Sequence, residues 1–200
     1  MAKPPSTDLR IVSLDERHDR GGFTCGVESL DRYLKVQASQ DVRRKANAVF
    51  VLSELGEPTR ILGYYTLCAM AISQGEVPEA ARKHVPRYPL VSATLIGRLA
   101  VSKDRQGQRL GAVLLADAVQ RVFDSASTVG SSMVVVDALG ESAAGFCAAH
   151  GFVRLPDSPR LVLPMRLASG SACTRRSNSR PRSGGIMRLR GGVKPGHFRG

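Results

Sequence analysis

The strongest constraint on this chain is one stretch, "VSATLIGRLAVSKDRQGQRLGAVLLADAVQ" (91–120). An apolar, β-branched run passes through a polar, glycine-bearing turn. It then enters a segment whose apolar residues Leu110, Val113, Leu114, Ala118 and Val122 fall at helical spacing. The pattern predicts a strand over 91–101, a turn, and a helix from Arg109 or Leu110 to Asp124. A strand that feeds a helix through such a turn leaves several backbone N–H groups without partners, and the helix dipole adds positive potential there. The junction is therefore suited to an anion, and a pyrophosphate is a natural guest. Gly107 and Gly111 permit close backbone approach, and Arg105 and Arg109 add charge. No Lys-Ser/Thr follows Gly111, so the turn is not a Walker loop. The glycine spacing does not fit the dinucleotide fingerprint either. An ordinary strand–helix turn with solvated arginines remains open on spacing alone.

The rest of the chain supplies a mixed sheet. Strands are expected at 9–14, 47–54, 60–72, 91–101 and 131–139, with two short ones in "FVRLP" and "RLVLPM". Val27, Leu30, Leu34 and Ala38 form a helical stripe. A short helix is expected among Pro78, Pro86 and Pro89, and another at 141–150, stopped by Gly151. Hairpin-like pairs fill the first half and strand–helix alternation the second. This order gives an α/β fold, a mixed central sheet flanked by helices.

An apolar share of 42% can fill one core, expected over residues 1–166. Residues 167–200 hold eight Arg or Lys and no acid, which accounts for most of the formal +12 charge. This Ser/Gly/Arg-rich tail is expected to be disordered, with nucleic-acid contact and a mere solvated extension both open. No apolar run approaches a membrane span and "MAKPPSTDLR" has no apolar signal centre, so a cytoplasmic protein is expected, with no membrane partner. Cys25, Cys68, Cys147 and Cys173 are scattered, so neither a disulfide framework nor a metal site is expected. Arg43, Arg44 and Lys45 end one helical segment. Arg82, Lys83 and Arg87 form a second basic group.

The segment "GRLAVSKDRQGQRLGAVLLADAV" resembles the acyl-CoA-binding motif of the GNAT N-acetyltransferases. "FTCGVESLDRYL", "ILGYYTL", "RKHVPRYP" and "AAGFCAAHGF" follow the order of the GNAT toxins of bacterial type II toxin–antitoxin pairs, across residues 8–165. The resemblance implies acetyl-CoA as co-substrate. Leu99, Ala100 and Val101 would run beside the pantetheine arm. Gln106, Gly107, Gln108, Arg109, Leu110, Gly111 and Ala112 would wrap the pyrophosphate. Arg109 stands where the motif has a glycine, which a helical residue with negative φ would tolerate.

Cys147 stands where the family has the Tyr that protonates the departing thiolate. A thiol can give that proton, but its reach is shorter. Slowed transfer is the expectation, resting on proximity. The implied activity is acetylation of the α-amine of aminoacyl-tRNA, which blocks translation. The two basic groups would then meet the tRNA acceptor stem, with Tyr65 and Tyr88 flanking its end. Implied partners are a ribbon-helix-helix antitoxin, operator DNA through that complex, and a second copy of the chain. The alternatives are a GNAT enzyme acting on a protein or small-molecule amine, and a catalytically impaired remnant that binds coenzyme or antitoxin.

Overall fold

The computed structural model describes residues 8–156 and 158–167. Past Leu167 the expected tail lies outside the described residues, as do the first seven positions. Seven strands form one sheet in the order β1-β2-β3-β4-β5-β7-β6. They are β1 (Leu9–Ser13), β2 (Ala48–Glu54), β3 (Gly63–Ser73), β4 (Leu90–Val101), β5 (Met133–Asp137), β6 (Val153–Arg154) and β7 (Arg160–Pro164). Every pairing is antiparallel except β4 with β5. That parallel step needs a crossover, which the helix α4 (Leu110–Val129) provides.

The faces of the sheet follow from side-chain alternation. Val134 and Val136 pack with Leu114, Leu115, Ala118 and Val122 of α4 and with Ala144 and Cys147 of α5 (Glu141–Ala149). Met133 and Val135 point the other way, to Val77, Ala81 and Val85 around α3 (Glu79–Arg82). That second face also carries α1 (Glu28–Arg32) and α2 (Ala38–Arg43), through Leu30, Leu34 and Ala38 against Val49, Val51 and Tyr64. Between α1 and α2 the chain takes a π-helical stretch, Tyr33–Gln37. Its wider turn buries both Tyr33 and Leu34. α4 lies close on β3 because Gly63 has no side chain: a Cβ there would sit 2.8 Å from Leu114 Cδ1 and 2.9 Å from the Ala100 carbonyl.

Several expectations shift at their edges. Val27 is 43% exposed and precedes α1 as its N-cap residue, so it does not join the buried stripe. β3 starts at Gly63, because the Arg60 amide is held in a turn by the Glu57 carbonyl. α4 runs on to Val129. Ser125 there donates back to the Arg121 carbonyl at 2.6 Å, which keeps its hydroxyl paired within the helix.

Candidate functional site

The sheet opens where β4 and β5 part. Their pairing runs only from Ala93–Met133 to Ile96–Val136. Beyond it, a bulge in the β3–β4 register places Gly97 as the extra residue, since Thr66 faces Arg98 while Leu67 faces Ile96. β4 continues to Val101 with β3 on one edge and no β5 partner on the other. A cleft of about 230 Å³ fills this gap, lined by residues from both faces. Val27 and Leu30 come from the α1 side. Leu115, Phe146 and Cys147 come from the α4–α5 side. Leu99 lies between them.

The strand–helix turn closes one end. Gly111 borders both Phe146 and Val101, so the turn and α5 meet there. The amides of residues 106–111 meet no acceptor among the described residues, whereas Ala112 and Val113 already donate to the Arg109 carbonyl. Gly107 takes φ +79°. The result is a run of free N–H groups at the N-terminus of a twenty-residue helix, an anion-binding cradle by construction.

Arg109 departs from expectation. It takes φ 60°, ψ 14°, the left-handed region, not a helical conformation with negative φ. A chain that turns this sharply into α4 needs positive φ at this residue, so the Cβ of Arg109 carries strain that a glycine would not. Arg105 also departs, for its Nη2 is held 2.9 Å from Glu54 Oε1. The Gln106 side chain points back into the protein and donates to the Cys25 carbonyl at 2.9 Å and the Val101 carbonyl at 3.2 Å. It braces the turn, while its backbone amide remains free.

This bracing continues inward. Asp31 on α1 accepts hydrogen bonds from the Cys25 amide and the Thr24 hydroxyl, both at 2.8 Å. The Lys103 amide in turn donates to the Thr24 carbonyl. Burial alone would raise the Asp31 pKa, but hydrogen bonds from Cys25 and Thr24 outweigh it and hold the carboxyl below its usual value.

Cys147 is 7% exposed, on the wall of the cleft. Burial raises its thiol pKa, so it stays protonated at neutral pH. Its place next to Phe146 leaves the cleft wall apolar where a phenol would be polar.

The expected acceptor-side residues divide. Arg43, Arg44, Lys45, Arg82, Lys83 and Arg87 are all exposed. Both groups lie on the face that carries α1 to α3, one at the end of α2 over β2 and the other around α3, which packs against β7. β2 and β7, on which their helices pack, are separated in the sheet by β3, β4 and β5. Arg82 also donates to the Val77 carbonyl at 3.0 Å, which ties it to its own loop. Tyr88 is 68% exposed, as a flanking role needs. Tyr65 is not: it is fully buried on the α4 face, stacked on Phe50, and its hydroxyl donates to Asp117. It cannot flank an acceptor.

Sequence reasoning passed over Arg98, which lies in the cleft. The signal was present as a lone cation within the apolar run "TLIGRLAV".

A tRNA-acetylating toxin of Mycobacterium tuberculosis (strain ATCC 25618 / H37Rv) is 32% identical over 162 residues, which span 80% of this chain and 93% of the relative. The chain belongs to the GNAT-type tRNA-acetylating toxins of toxin–antitoxin systems. Among solved structures, AtaT complexed with acetyl-methionyl-tRNAfMet is similar at a TM-score of 0.73 and 31% identity, covering 80% of this chain and 96% of that one. A Tyr-to-Phe mutant of AtaT, bound to the C-terminus of the antitoxin AtaR and acetyl-CoA, is similar at a TM-score of 0.70 and 29% identity, covering 82% and 98%. No family model matches the chain.

Proposed function

We propose that this chain transfers an acetyl group from acetyl-CoA to the α-amine of an aminoacyl-tRNA, and so acts as a translation-blocking toxin. The observation that carries the reading is the open β4–β5 cleft ending at the free amides of 106–111. In this reading Gln106, Gly107, Gln108, Arg109, Leu110, Gly111 and Ala112 enclose the pyrophosphate through their backbone. Leu99, Ala100 and Val101 offer the unpaired edge of β4 to the amides of the pantetheine arm. The thioester then lies beside Cys147. The neutral amine nitrogen attacks the thioester carbonyl carbon, an N–C bond forms, the C–S bond breaks, the surplus proton on nitrogen passes to solvent water, and coenzyme A leaves as a thiolate that is then protonated.

The proton on the leaving sulfur comes from Cys147 through a bridging water, or from solvent. The raised pKa and short reach of Cys147 make it a weak acid for this step, so turnover rests chiefly on holding the two reactants together. The basic groups Arg43, Arg44, Lys45 and Arg82, Lys83, Arg87 flank the acceptor face and supply phosphate contacts. In this reading a ribbon-helix-helix antitoxin covers the cleft and joins the toxin to operator DNA; binding of AtaT to the C-terminus of its antitoxin and a KacTA–DNA complex support an antitoxin and a DNA partner. A cytoplasmic location and a homodimer complete the reading.

The test is incubation of the protein with labelled acetyl-CoA, a mixture of charged tRNAs, and protein and small-amine acceptors. Label on charged tRNA is the expected result. Label on other amines alone overturns the substrate.

A further inference from the structure

Arg98 follows the Gly97 bulge on β4, on the face that carries α1 and α2. Its guanidinium carbon lies 3.7 Å from the ring centre of Tyr33, which is itself buried and donates through its hydroxyl to Asp41 at 3.0 Å. The stacking fixes the guanidinium plane without using its hydrogen atoms. None of those N–H donors meets an acceptor among the described residues, and no carboxylate pairs with the group. The other charged side chain on the cleft wall, Asp137, is already held by Arg160 Nε at 2.8 Å. Across the ladder from Arg98, Thr66 Oγ1 is buried and also has no hydrogen-bond partner. Gly97 puts no side chain over it: a Cβ there would stand 3.4 Å from that oxygen. A half-buried cation whose donors are free thus lines a mostly apolar cleft, next in the ladder to a buried hydroxyl that also lacks a partner. The guanidinium donors are thereby left available to a group that enters the cleft.

We propose that Arg98 selects the acceptor: its guanidinium donates to an ester carbonyl oxygen of the incoming aminoacyl group, and its charge turns away aminoacyl groups with a cationic side chain. The inference rests on the acetyl-transfer reading above. Val27 and Leu30, on the α1 side of the cleft, then favour an apolar aminoacyl side chain. The fixed positive charge has a second effect. It disfavours the ammonium form of the α-amine, so more of the acceptor arrives as the neutral nucleophile. No carboxylate or imidazole lining the cleft stands free to take that proton.

The experiment compares the full chain with Arg98→Gln and Arg98→Lys, using methionyl-, leucyl-, lysyl- and arginyl-tRNA, with kcat and KM measured for each. Acetyl-CoA affinity is followed by calorimetry and folding by thermal denaturation. Loss of a charge-assisted contact in R98Q is expected to raise KM for methionyl- and leucyl-tRNA about tenfold. The preference for methionyl over lysyl acceptors shrinks by a similar factor. The pH at which half-maximal rate is reached moves upward in R98Q. R98K retains the discrimination, because it keeps the charge. Unchanged KM and unchanged selectivity in a folded R98Q overturn the inference while the wild-type rate upholds acetyl transfer to tRNA. Failure of the wild-type chain on every charged tRNA overturns both.

Discussion

Replacing Arg109 by glycine separates backbone strain from charge at the mouth of the cradle. Arg109 sits at φ 60°, ψ 14°, is exposed, and makes no side-chain hydrogen bond or ion pair among the described residues. A non-glycine residue in the left-handed region costs roughly 1–2 kcal/mol. Glycine removes that cost but gives the unfolded chain more freedom, an offset of about 0.5–1 kcal/mol. The net expectation for Arg109→Gly is a gain of about 0.5–1 kcal/mol, which at this chain length raises the melting midpoint by roughly 1–4 °C. Arg109→Ala keeps the Cβ, and so keeps the strain, but loses the same charge. Its stability should stay near wild type. Both variants lose one exposed cation near the diphosphate site, so both should bind acetyl-CoA about two- to fivefold more weakly. Thermal denaturation without ligand and calorimetric titration with acetyl-CoA read the two effects independently. If Arg109→Gly is no more stable than Arg109→Ala, the left-handed turn is unstrained and the reasoning fails. If the two variants differ in affinity, backbone shape contributes beyond charge.

Three further expectations follow from the site. Gln106→Ala removes hydrogen bonds to the Cys25 and Val101 carbonyls and should cost about 1–2 kcal/mol in urea denaturation, with weaker acetyl-CoA binding; unchanged affinity would show that the turn needs no brace. Cys147→Tyr puts a longer acid on the cleft wall and should raise kcat about tenfold or more in the tRNA acetylation assay, while a lower kcat would mean that the phenol blocks the cleft. Asp31 has a folded pKa below its ordinary 3.8, so its stabilising contribution is full above that value and is lost as pH falls through 3.8 toward the depressed folded pKa. Urea midpoints of wild type and Asp31→Asn should therefore differ at pH 6 and converge in acid; a constant gap across pH would rule out the carboxylate as the source.

The strand–turn–helix at 91–129 was legible because each signal in it is local. Glycines mark the turn, apolar spacing marks α4, and an unpaired helix N-terminus presents free amides wherever it occurs. The late helix could be read for the same reason, while the role expected of Cys147 came only from the resemblance to the GNAT toxins. The strain at Arg109 could not, because φ depends on how sharply β4 must turn to lay α4 on the sheet. The pairing of Arg105 with Glu54 joins residues far apart in sequence. Tyr65 and Tyr88 look alike as residues, yet one is sealed beneath α4 and the other stands in solvent. Arg98 carried a visible oddity, a cation within an apolar strand, but its stacking on Tyr33 and its place in the cleft arise only when β4 bulges at Gly97.

By itself the sequence determined the order of strands and helices and the helix that opens on a run of free amides. These depend on periodicity and on what each residue type can do alone, whereas the place of Cys147 opposite the family's tyrosine is what the resemblance implies. The tertiary structure decided which cations are spent on neighbours and which face the cleft, since an ion pair or a stacked ring needs two partners that only folding brings within reach. It also decided that the sheet parts beyond Ile96, because a strand's pairing ends where its neighbour stops, and that end is set by how α4 and α5 pack.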